Sequence, residues 1–124
     1  MKAAFVLGRL VFGGFFLYNG INHIKQHSTL TQYAGSKEVP MPDHAVTAST
    51  ILLLLGGTSL VLGAKPKIGA AAVAVFLAAV SPMMHDFWNQ QEPGQRQNDM
   101  IHFSKNLALL GAALALMGTD ESAS

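Results

Sequence analysis

The chain has 124 residues, half of them apolar and only 12% charged, with a net charge of +1 and no cysteine. A single domain is expected at this length. The weak net charge argues against a nucleic-acid-binding face, and the missing cysteine excludes disulfides, iron–sulfur clusters and thiol chemistry within the chain.

The charged fraction is about half that of an ordinary soluble domain, which points to a membrane protein. The first apolar run covers about residues 3–24. At 1.5 Å per residue it reaches about 33 Å, enough for a hydrocarbon core of roughly 30 Å. Its opening is similar to that of a signal peptide, but Arg9 interrupts the apolar part and no small-x-small cleavage site follows. It therefore reads as a retained span. Gly8, Gly13, Gly14 and Gly20 would let another helix approach closely. Arg9 is expected to snorkel towards the headgroups, with an inward ion pair to Asp120 or Glu121 as the other option. At the far end Asn19, Asn22, His23 and Gln26 fall at i, i+3, i+4 and i+7, on one helical face.

Residues 25–43 are too polar to span. Leu30, Tyr33 and Ala34 are spaced for one side of a short helix over 28–35, which would lie along the membrane surface. Asp43 is placed to cap the next helix. The second span covers about 45–64, with Ile51–Leu55 as its most lipid-like part. Lys65-Pro66-Lys67 is a tight turn, so the second and third spans must be antiparallel neighbours. The third span runs over about 68–88. Pro82 removes a backbone donor and frees the Ala78 carbonyl, so a kink is expected one turn before His85. Residues 89–99 read as a hydrophilic connector with a turn at Pro93-Gly94. The fourth span, about 100–118, is the weakest, because it must include His102, Lys105 and Asn106 to reach a spanning length. Those three share one face, which should point inward. The tail from Asp120 is polar and expected to be disordered.

Four spans place both ends of the chain on one side. Lys2, Arg9, Lys65 and Lys67 lie there, and Lys25, Lys37, Arg96 and Lys105 on the other. The denser cluster near the helix ends favours cytoplasmic termini. All five histidines map to the opposite side, and His23, His85 and His102 stand at helix ends. Polar and ionisable groups are costly near lipid, so this gathering is a site hypothesis. A pocket among the first, third and fourth spans would draw on Asn19, Asn22, His23, His85, Asp86, Trp88, His102, Lys105 and Asn106. Pro82 would splay the third span to admit them.

The run Gly8-Arg-Leu-Val-Phe-Gly-Gly-Phe-Phe-Leu-Tyr-Asn-Gly-Ile-Asn-His23 resembles the opening helix of the DoxX family of small bacterial membrane proteins. His85-Asp-Phe-Trp88 followed by His102-Phe-Ser-Lys-Asn-Leu-Ala-Leu-Leu-Gly111 resembles that family's third-to-fourth helix segment. The resemblance extends over almost the whole chain. It implies an all-α, four-helix transmembrane bundle in a bacterial inner membrane. It also implies an accessory or quinone-linked role in membrane oxidoreduction, since relatives include a subunit of a thiosulfate:quinone oxidoreductase. No flavin, haem or dinucleotide motif is present, so redox chemistry would need a bound quinone or a partner subunit.

Three readings of the polar cluster follow. In the first, it holds a quinone headgroup or similar amphipathic ligand. His23, His85 and His102 would donate to a carbonyl, Lys105 would stabilise negative charge, Asp86 would orient a histidine or accept a proton, and Trp88 would stack. In the second, the groups only knit helix ends together in a scaffold subunit. In the third, His85, Asp86 and His102 bind a metal. His23 and His27 have i, i+4 spacing, but a lone pair is a weak metal signal. The sequence leaves open whether the chain is itself an enzyme.

Overall fold

The computed structural model describes residues 2–118, and the side chains of residues 3–118. The described residues form five α-helices: α1 (Lys2–Lys25), α2 (His27–Ser36), α3 (Pro42–Leu62), α4 (Pro66–Met84) and α5 (Pro93–Met117). A 3₁₀ turn, Phe87–Asn89, stands between α4 and α5, and no strand occurs among the described residues. Helices α1, α3, α4 and α5 are each long and apolar enough to cross a membrane. The protein is thus an all-α membrane bundle with one short extra helix.

The helices pack in a row. α1 lies on α3, α3 on α4 and α4 on α5, while α1 and α5 barely touch. Buried Phe16, Leu53, Leu60, Val73, Leu77 and Ala113 fill the seam. Lipid tails are as apolar as these side chains, so close van der Waals packing, more than water exclusion, holds such a seam together. Gly57 shows how close it is. A Cβ there would stand 2.6 Å from the Leu17 backbone nitrogen and 3.0 Å from the Gly13 carbonyl oxygen.

One end of the bundle holds the α3–α4 turn, and is called here the turn end. Gly63 caps α3 with φ +73°, and the next helix opens with Pro66 in its first turn. The Ser59 hydroxyl donates to the carbonyls of Ala64 and Lys65 and ties the turn down. The other end, the cap end, carries α2 and the 3₁₀ turn.

Several expectations are corrected. Arg9 reaches the α3–α4 turn but is buried there: it is only 9% exposed, and its guanidinium lies against Gly63, where the missing Cβ makes room. Its alternative partners, Asp120 and Glu121, and the tail expected to be disordered lie outside the described residues. Asp43 does not cap α3; Met41 does, and Asp43 sits in the first turn paired with His27 at 2.6 Å. α4 ends at Met84 and does not run on as helix to Trp88. Pro93-Gly94 is not a turn. Pro93 opens α5, because a first-turn position needs no backbone donor. α5 therefore begins about two turns before the expected Met100.

Candidate functional site

The cap end encloses a cavity of about 590 Å³ lined by residues from all five helices. That size falls within the range of about 300–1,000 Å³ common for small-molecule sites. Most of the wall is apolar: Phe15, Phe16, Leu52, Phe76, Leu77, Val80 and Met83 among others. α2 forms the roof, with Leu30, Tyr33 and Ala34 facing in. The apolar side of this short helix, the one expected to lie along the membrane surface, covers the cavity. The expected pocket among three spans thus gains two further walls, α2 and α3.

A few polar groups interrupt this lining. Asn19 donates its amide N–H to the Phe15 carbonyl at 2.7 Å, which leaves its side-chain oxygen for other partners. His23 stands edge-on to Phe76, ring centroids 6.0 Å apart. Its Nδ1 is buried with no hydrogen-bond partner among the described residues. Tyr33 donates its hydroxyl to the Met84 carbonyl at 3.2 Å and pins the roof to the end of α4. Lys105 Nζ lies 5.9 Å from the centre of the Phe15 ring. Phe15 and Lys105 both line the cavity and both are exposed, as are the lining residues Pro40, Ala48, Ala79 and Met83, so the cavity is open to the surface.

Beside the cavity lies an ionic knot. Lys37, just past the end of α2, sits 2.7 Å from Asp86 and 3.6 Å from Asp99. Asp99 is fully buried. It also accepts from Gln95 at 3.2 Å and lies 3.3 Å from His85 Nδ1. Asn89 donates to Asp86 at 3.0 Å. Burial works to lower the Lys37 pKa, but the hydrogen bond to Asp86 and the charges of Tyr33, Asp86 and Asp99 outweigh it, so the net shift is upward. Burial, reinforced by the Asp99 and Asp86 charges and opposed by Lys37, raises the Tyr33 pKa.

The DoxX family model matches residues 4–86 of this sequence. The chain belongs to the DoxX family. The match runs from α1 through α4 to Asp86, so what α5 brings to the site lies beyond it. No curated protein and no solved structure matches the chain.

In this DoxX protein the residues singled out from sequence fall into two groups. Asn19, His23, His85, Lys105 and Asn106 line the cavity. Asn22, Asp86, Trp88 and His102 do not. His102 stacks on the outer side of the set, its ring 5.0 Å from that of His85 and inclined by 20°. Trp88 is half exposed and packs against Phe87 and Phe103, so it is no wall of the cavity. Asp86 does not orient a histidine; Asp99 takes that place, and Asp86 is engaged by Lys37 and Asn89. The set His85, Asp86 and His102 does not assemble as a metal site. Among the described residues no group of three such side chains converges. Pro82 lies in the last turn of α4, where His85 N–H still bonds the Ser81 carbonyl at 3.1 Å before the helix stops.

Asp99, Lys37 and Tyr33 are the members that sequence reasoning missed. Asp99 had a readable signal. Gln95, Asp99, His102 and Asn106 are spaced 4, 3 and 4 apart, a continuous helical face once α5 is started at Pro93.

Proposed function

We propose that this DoxX-family membrane protein binds a membrane-borne quinone headgroup in the cap-end cavity and serves a membrane oxidoreductase system as its quinone-handling component. The observation that carries this reading is the cavity itself, an apolar space of about 590 Å³ into which a few polar residues, among them His23, Lys105 and Asn106, are set. A largely apolar pocket with a small number of polar groups is the usual form of a small-molecule site. A quinone fits the donor set. Its carbonyl oxygens accept from His23 and Asn106, Lys105 offers positive charge, and the apolar lining takes the ring. Exposed lining residues such as Phe15, Met83 and Lys105 leave the cavity open to a ligand that arrives through lipid. A quinone, when bound, supplies two-electron, two-proton carrier chemistry. The chain's own residues bind and orient the headgroup and exclude water from it, and the electrons pass to or from a partner redox subunit. The dense cations of the turn end support its placement on the cytoplasmic side of a bacterial inner membrane.

The test is solvent extraction and mass spectrometry of protein purified in mild detergent. Wild type is expected to carry a quinone and His23→Phe to have lost it. Retention by the variant removes the basis of the proposal.

A second reading rests on the ionic knot. Its charges are paired with one another across α2, α4 and the start of α5, as in a structural clamp. A scaffold subunit built this way would co-purify with a larger redox complex and carry no quinone of its own.

A further inference from the structure

Charge is sorted by end in this molecule. All five acidic side chains of the described residues, Glu38, Asp43, Asp86, Glu92 and Asp99, belong to the cap end. The turn end carries Arg9, Lys65 and Lys67 and, among the described residues, no acid.

Arg9 is the unusual one. It sits about two turns inside a membrane-spanning helix and is 9% exposed. Its Nε is buried without a hydrogen-bond partner among the described residues. Its Nη groups lie on Gly63, the residue that starts the α3–α4 turn; a Cβ at that position would stand 2.5 Å from Nη1. The carbonyl end of α3 carries a partial negative charge of about one half, which favours a cation beside it but supplies no full counter-charge. An ionisable group held this way at membrane depth marks a functional site by default. The antiparallel register of α1 and α3 sets Arg9 level with the turn, where the span ends and lipid headgroups begin. Lys65, exposed, and Lys67, half-buried, flank Pro66 in the same turn. A guanidinium is the side chain best shaped for phosphate oxygens, and flanking lysines add attraction for an anion without fixing its geometry.

We propose that Arg9, seated on Gly63 and flanked by Lys65 and Lys67, is a binding site for the phosphodiester of an anionic phospholipid at the turn end. This site is independent of the cavity and of any quinone.

The test is a lipid titration of the full chain in neutral detergent, read by the thermal unfolding midpoint in circular dichroism. Phosphatidylglycerol is expected to raise the midpoint, and phosphatidylcholine at the same mole fraction is not. Arg9→Gln is expected to shift the titration by at least about tenfold in lipid concentration, the loss of one charge-assisted contact. Should Arg9→Gln not fold, the Lys65→Gln/Lys67→Gln variant carries the test. Each lysine charge removed is expected to weaken the response about fivefold, with a shallower dependence on salt. Lack of a midpoint rise in wild type overturns the proposal, as does a full response in either variant. An equal rise with inorganic phosphate overturns the lipid as the source. If only a chain lacking residues 119–124 responds, the tail acids Asp120 and Glu121 are the partner of Arg9 and the lipid assignment falls.

Discussion

The ionic knot and the cavity wall lie side by side at the cap end, share His85, and are made from the same kinds of residue. They differ in pairing. In the knot Lys37, Asp86, Asp99, Asn89 and Gln95 meet one another at hydrogen-bond or ion-pair distance. In the wall His23 Nδ1 meets nothing among the described residues, and Lys105 faces an aromatic ring instead of an acid. Histidine, lysine and asparagine by themselves therefore do not distinguish a clamp from a ligand site. What distinguishes them is whether the protein completes its own hydrogen bonds.

The largest effect is expected in the knot. Asp99→Ala removes the buried acid that Lys37 and His85 share. It should cost about 3 kcal/mol, the lower end for breaking a buried pair, because Lys37 keeps Asp86. Reversible denaturation in mixed micelles measures it; a loss under 1 kcal/mol would mean the knot is no clamp. In the wall the balance should reverse. His23→Phe removes an unpaired buried ring nitrogen, so stability should stay within about 1 kcal/mol of wild type while bound ligand falls at least tenfold, about 1.4 kcal/mol of affinity. Equal losses of stability at both sites would erase the distinction.

A smaller effect is expected with pH. The folded chain holds the Lys37 proton more tightly than the unfolded chain, since its pKa is raised. That contribution is complete below the ordinary lysine value of 10.5 and is lost as pH rises through the folded value. Tyr33, raised as well, acts in the same direction. The unfolding midpoint should fall in the alkaline range, and Lys37→Met should leave only the Tyr33 share of that fall. An unchanged alkaline profile in the variant would separate Lys37 from the knot's stability. The smallest effect belongs to Trp88→Phe. Trp88 is half exposed and outside the cavity, so neither stability nor ligand content should move beyond about 0.5 kcal/mol. A clear loss of ligand would return it to the wall.

The four spans were legible because apolar runs of spanning length have few alternatives, and Pro66 and Gly63 mark a turn without ambiguity. Asn19 and His23, four residues apart, and Lys105 and Asn106, three and four residues after His102, were legible because helical spacing puts each set on one side of its helix. Spacing alone did not say how far along the helix the cavity reaches. Asn22 and His102 share those faces and still lie beyond its lining. Asp99 was hidden by reading Pro93-Gly94 as a turn, which put a buried helical carboxylate in a hydrophilic loop. Lys37 gave no local sign, since its partners Asp86 and Asp99 are 49 and 62 positions away and meet it only through the packing of α2 across α4 and α5.

The join between α1 and α2 has a mechanical meaning. Only Gln26 separates the two helices, and hydrogen bonds bridge it on both sides, Gln26 N–H to the Asn22 carbonyl at 2.8 Å and Leu30 N–H to the Gln26 carbonyl at 2.9 Å. The two helices are thus one bent lever with its elbow at Gln26. The long arm is locked on α3 by the close approach of Gly13 and Gly57, and the short arm is the cavity roof. The seam between α1 and α3 therefore fixes the roof over the cavity through the elbow, so a side chain added at Gly57 would disturb the cavity from several turns away.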